Sequence, residues 1–331
     1  MFRVRGKGSF CANRVESVKP NHARPFRFSV QEHRAHSAKQ WRDRARAIEA
    51  MGYSGLYLPD HFDEQPGPIA ALMSAADATT KLRIGSLVFD NDYRHPWVLA
   101  KEAATLDLLS DGRLDLGLGA GWLVADYERA GIPYDPAGKR IERLEEALEV
   151  VKGFFGGKPF TFSGKHYSIK DAEGSPSPVQ KPHPPFLLGG GGRRMLTLAA
   201  REAAIVHINY NLNEGRINPK LVRTGMAEAT EEKVGWVRQA AGERFDSIEL
   251  GFTVFFANVT DDRESIAAAM APSMGFEPQD VLEMPHFLIG TMEQIEDDLL
   301  ARRERYGFSD VILPGSAADE IAPIVERLAG R

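Results

Sequence analysis

Three clusters in this sequence combine residue types and spacings suited to chemistry. The first is Asp60-His61. An imidazole titrates near neutrality and can give or take a proton, and a carboxylate beside it can fix its tautomer. Neighbours on an extended strand point to opposite faces, so a direct Asp60–His61 pair requires the strand to have ended there. The alternative is a hydrogen-bonded polar corner. The second cluster is Gly117-Leu118-Gly119-Ala120-Gly121-Trp122. Its alternate glycines either let a ligand approach the backbone or make a tight exit turn, and their spacing is not that of a dinucleotide fingerprint. The third is Gly189-Gly190-Gly191-Gly192-Arg193-Arg194. Four glycines running into a helix leave backbone N–H groups free at the positive end of a dipole. That makes an anion site, with Arg193 adding a charge-assisted contact, and phosphate is the expected ligand. His61, Asp63 and Glu64 could gather a metal, but no further His or strand-end Asp completes a ligand set. The motifs of P-loop hydrolases, helical zinc proteases and α/β-hydrolases are missing.

The elements that must position these clusters alternate. Apolar runs at 26–30, 55–58, 83–88, 114–119, 186–189, 204–208, 248–255 and 310–313 read as eight strands. Between them lie helical patterns. Ser37 and Gln40 suit a capping box, followed by Trp41, Ala45 and Ile48 on one face. A helical stretch spans 68–79, and Pro96 opens another whose face is Leu99, Ala103, Leu106 and Leu109. Ile141, Leu144, Leu148 and Val151 define a fourth, and Thr291 with Gln294 caps the helix before the last strand. The Gly-, Pro- and Ser-rich stretch at about 156–185 reads as a hairpin and loop inserted after the fourth helix. Eight strand–helix alternations predict a (β/α)8 TIM barrel, with each cluster at the C-terminal end of a strand, where barrel enzymes work. An open doubly wound sheet would need a glycine-rich first turn, which 30–37 lacks.

Composition bounds the rest. The 331 residues are 43% hydrophobic and 26% charged, with no long uncharged apolar run, so no membrane-spanning helix is expected. A single cysteine, Cys11, excludes a disulfide framework and suits the cytoplasm. The net charge of −5 gives no reason to expect nucleic acid. Six basic residues and one acid crowd into 1–24, leaving 35 basic against 45 acidic beyond it. That segment reads as a disordered basic extension, with the folded domain at 25–331.

The runs Gly52–His61, Tyr93–Pro96, Lys101–Asp107, Ser110–Trp122, Pro178–Pro185, Gly189–Arg193 and Ile289–Gln294 together resemble the luciferase-like monooxygenase family, in its coenzyme F420-dependent branch. The resemblance covers about 26–315. It implies a barrel, usually dimeric, that holds F420 or FMN at its C-terminal mouth and acts on a small molecule. It implies His61 and Asp60 beside the reactive ring, and a non-prolyl cis peptide at Ser86–Leu87 supporting that ring. Gly119, Ala120 and Gly121 would also touch the cofactor, with Gly189, Gly190, Gly191, Gly192 and Arg193 at its phosphate. Trp122 stands where F420-dependent sugar-phosphate dehydrogenases carry an acid, which points to a more apolar substrate. An FMN-dependent two-component monooxygenase, a non-catalytic flavin-binding protein and a metal-dependent barrel hydrolase are the competing readings.

Overall fold

The computed structural model describes residues 24–331. The basic extension expected at 1–24 therefore lies outside the described residues, except for Arg24. Eight parallel strands form the barrel: β1 (Arg27–Gln31), β2 (Gly55–Leu58), β3 (Arg83–Ser86), β4 (Leu114–Gly119), β5 (Phe186–Gly190), β6 (Ile205–Ile208), β7 (Glu249–Thr253) and β8 (Phe308–Pro314). Each pairs with the next, and β8 returns to β1 with Phe28 opposite Val311, closing the circle. Helices cover the outside, burying Trp41, Ala45 and Ile48 from the first of them against the strands. The TIM-barrel expectation is met.

Most boundaries follow local chemistry. Thr291 and Gln294 form the reciprocal capping box, whereas Ser37 caps the backbone N–H of Gln40 without the return bond. On the helix Pro96–Leu109, Leu99, Ala103 and Leu106 are buried but Leu109 is 59% exposed, because Asp107 and Ser110 take the buried side of the last turn. Two strands end earlier than their apolar runs suggest. β3 stops at Ser86, a cis peptide joins Leu87 to Val88, and Phe89–Asp90 rejoins the sheet beside β4. The cis bond thus lies one residue after the Ser86–Leu87 position expected. β7 stops at Thr253, and Phe256–Val259 pairs with Phe287–Gly290 outside the barrel. Phe255 donates its N–H to His286 there, drawing the chain outward. The insertion is a hairpin, Phe160–Ser163 against Ser168–Ala172.

The lower half of the barrel interior is charged. Arg27 on β1 bonds Asp115 on β4 at 2.9 Å and Asp310 on β8 at 3.0 Å, with Glu249 on β7 at 3.2 Å. Arg83 and the Tyr57 hydroxyl also bind Asp115, and His207 binds Asp310 at 2.8 Å. Burial alone would raise the pKa values of Asp115 and Asp310, but the guanidiniums outweigh it and hold both below the usual range. Glu249 is the group that gives way: burial, then the charge of Asp310, push it up to about 7.

Arg27→Met leaves two buried carboxylates without their shared cation. Its unfolding free energy in urea should fall by about 3–5 kcal/mol. The raised pKa of Glu249 costs stability progressively as pH rises from about 4.5 to about 7, since the unfolded chain releases that proton first. Glu249→Gln should therefore flatten the pH dependence of the melting temperature across that window.

Candidate active site

At the C-terminal end of β2 the chain turns after Pro59, and its two polar residues part company. Asp60 points inward, 6% exposed, and accepts both terminal nitrogens of Arg94 at 2.5 and 3.2 Å and the backbone N–H of Asp90 at 3.0 Å. His61 points to the mouth with 22% of its side chain exposed. Its carboxylate partner is Asp126, not Asp60: Nδ1 lies 2.6 Å from Asp126 Oδ2. Asp126 is almost fully buried on the helix Val124–Ala130 that follows β4. An ionised carboxylate at Nδ1 requires the proton there, which leaves Nε2 free to accept one. The indole of Trp122 stands edge-on to the imidazole, ring centres 5.8 Å apart, so the expected substrate-facing Trp does border His61.

The exits of β3 and β4 interlock. Ser86 donates its hydroxyl to Leu58 O at 3.0 Å, and Gln31 reaches Leu87 O at 3.3 Å. The strand-4 glycines admit this neighbouring chain. A Cβ on Gly117 would meet Ser86 O at 1.8 Å, and one on Gly119 would meet Val88 Cγ2 at 2.4 Å. Gly121, at φ +72°, leaves room for the Tyr127 hydroxyl and the Asp90 carboxylate. The absence of side chains at Gly119 and Gly121 is thus accounted for by protein contacts, whatever else approaches Ala120 between them.

The fourfold glycine run ends β5 at Gly190 and leaves Gly192 as the N-cap of the helix Arg193–Glu202, with no side chain capping it. A Cβ on Gly191 would meet the Tyr210 carbonyl at 2.2 Å, so the β6 exit packs directly on this backbone. Beside it opens a cavity of about 300 Å³ bordered by Gly191, Asn211, Arg223, Thr224, Glu232, Lys233 and Trp236. Lys233 is 2% exposed, yet its ammonium donates only to the carbonyls of Asn209, at 2.7 Å, and Thr224. Burial lowers its pKa to about 8. Arg193 is exposed, touching Gln239 at 3.4 Å. An uncapped helix start and a buried ammonium without a hydrogen-bonded carboxylate fit the phosphate end of a cofactor. Glu64 turns away to Arg34, and among the described residues no cluster of His, Cys, Asp or Glu is placed to hold a metal.

Sequence reasoning missed Asp126 and Lys233. Asp126 lies 65 residues from His61, and no spacing rule links them. Lys233 did leave a trace, since it shares the buried face of Thr230, Val234 and Val237, where a lysine is out of place.

The chain is similar to several known proteins. The chain is 29% identical over 169 residues to an FMNH2-dependent dimethylsulfone monooxygenase of Pseudomonas putida, which is 51% of this chain and 46% of that protein. It is 31% identical over 163 residues to an F420-dependent glucose-6-phosphate dehydrogenase of Microbacterium testaceum, covering 47% and 48%. The chain thus spans about half the length of these curated relatives. Among solved structures, the F420-dependent tetrahydromethanopterin reductase of Methanopyrus kandleri superposes with a TM-score of 0.72 at 19% identity, over 92% of this chain and 98% of that one. The family model described as luciferase-like monooxygenase matches residues 21–311. With that match over nearly all of the barrel, the chain belongs to the luciferase-like monooxygenase family.

Proposed function

We propose that this protein is an oxidoreductase that uses coenzyme F420 for hydride transfer with a small, largely apolar organic molecule. The observation that carries the reading is the His61–Asp126 pair beside Trp122 at the mouth, on the same barrel end as the cavity at Gly191 that Arg223 and Lys233 border. The bound cofactor would supply the hydride chemistry. Gly191, Gly192, Arg193 and Lys233 would hold its phosphate, and Leu87–Val88 would lie under the ring. Asp126 fixes the imidazole and stabilises its protonated form, so that Nε2 of His61 takes or returns the proton of the reacting group. Trp122, with Phe62 and Phe255 each 44% exposed at strand ends, gives the mouth its apolar character. The similarity to F420-dependent relatives supports the cofactor. Use of FMN is the second reading, favoured by the similarity to the dimethylsulfone monooxygenase. A homodimer in the cytoplasm belongs to the same proposal. Among the described residues no helix is long and apolar enough to cross a membrane.

Parallel titration of the purified chain should show saturable quenching of F420 fluorescence and weaker binding of FMN. Tight FMN binding with none of F420 would transfer the assignment to a two-component monooxygenase. Arg193→Ala should weaken cofactor binding by about 10- to 100-fold, the worth of a charge-assisted hydrogen bond, with little change in melting temperature.

His61→Ala should lower turnover by about 100-fold, the usual scale for a positioned acid or base, with a much smaller change in cofactor affinity. Asp126→Asn removes the charge that stabilises the imidazolium. It should move the acidic limb of the kcat profile to lower pH. Normal turnover in the His61 variant would leave a cofactor-binding protein whose histidine has no part in chemistry.

A further inference from the structure

Four carboxyl groups crowd the exits of β2, β3 and β4, and three of them pair with an arginine or a histidine. Asp60 is bound to Arg94, Asp126 to His61, and Asp92 to Arg143 at 2.7 and 2.8 Å. Asp90 pairs with neither. Its carboxyl is buried, accepting the backbone N–H of Asp92 at 2.8 Å and facing the Tyr127 hydroxyl at 3.2 and 3.3 Å. That hydroxyl has one proton to give and lies closer to Asp92, at 2.9 Å. Arg140, the remaining cation nearby, faces the ring of Tyr127 and not the carboxyl. Burial first, then the like charges of Asp92 and Asp60, push Asp90 up to about 7. The Tyr93 hydroxyl links it to the mouth, lying against the Asp90 carboxyl and 3.5 Å from Asp126 Oδ2.

We propose that Asp90 is a positioning residue that acts on His61 by its charge. Buried and without a cationic partner, it is carried as the neutral acid at lower pH, and its ionisation adds a negative charge across the Tyr93 hydroxyl from Asp126. The proton it releases goes to solvent. The added charge draws the imidazole toward its protonated form. The proposal rests on the reading of His61 as the proton-handling residue, but the coupling itself exists without cofactor and can be measured separately.

The test is an NMR titration of the His61 imidazole in the full chain without cofactor, for the wild type, Asp90→Asn and Tyr127→Phe. The wild-type curve should be broadened, with a second inflection near 7. Asp90→Asn should remove that inflection and lower the His61 midpoint by about half a pH unit or more. Tyr127→Phe deletes the hydroxyl that the Asp90 and Asp92 carboxyls share, removing polar stabilisation of the ionised Asp90, and should move the inflection upward. A folded Asp90→Asn protein whose His61 curve superposes on the wild type overturns the proposal. If Asp90→Asn does not fold, an unshifted inflection in Tyr127→Phe overturns it. Normal turnover in His61→Ala would sink the catalytic reading while leaving this coupling intact.

Discussion

Arg27 ties the barrel together. Its guanidinium reaches carboxylates on β4, β7 and β8, and those carboxylates in turn hold Arg83 on β3, Tyr57 on β2 and His207 on β6. Seven of the eight strands therefore meet in one buried ionic network at the floor. Such a network adds less net stability than apolar packing of the same volume, but it is intolerant of misplacement. A one-residue slip of β1 would turn Arg27 to the outer face and take from Asp115, Glu249 and Asp310 the cation they share. The floor thereby sets the stagger of the strands, and the stagger sets which exits stand side by side at the mouth.

That dependence is visible where β3 meets β4. The backbone of Ser86 and the side chain of Val88 occupy the space that side chains on Gly117 and Gly119 would fill. The close approach brings Asp90 beside Gly121 and Tyr127, and the helix after β4 then carries Asp126 to His61. The His61–Asp126 pair and the glycine run of β4 are thus two results of one tight contact between adjacent strands.

The architecture was legible because barrel strands and their covering helices differ in period, and because caps such as Thr291 mark where the period changes. The early ends of β3 and β7 were not, since Val88 and Phe255 belong to the same apolar alphabet as the strands they leave. Nor was the charged interior: Asp115 and Asp310 are fully buried, yet in sequence a lone acid in a strand looks like its solvent face. At the site, His61 could be found from its place after a strand. Its partner could not, because proximity in sequence favoured Asp60, while the fold spends Asp60 on Arg94 and brings Asp126 from two strands away. The cavity at the glycine run was half legible: the glycines announce themselves, while Lys233 is visible only as an anomaly on an apolar helix face.

The inserted hairpin has a bearing on the site that its surface position conceals. Its Tyr167 hydroxyl accepts a hydrogen bond from Asn91 at 3.1 Å and its ring lies against His95, while Phe160 stacks on Trp97. These contacts clamp both ends of the short segment that carries Asp92, Tyr93 and Arg94. Residues on a surface ribbon, free of the packing demands of the barrel wall, thus hold the strip of chain from which the mouth takes much of its charge. Sequence drift in that ribbon can retune the acid–base character of the pocket while every strand and every pocket residue stays the same.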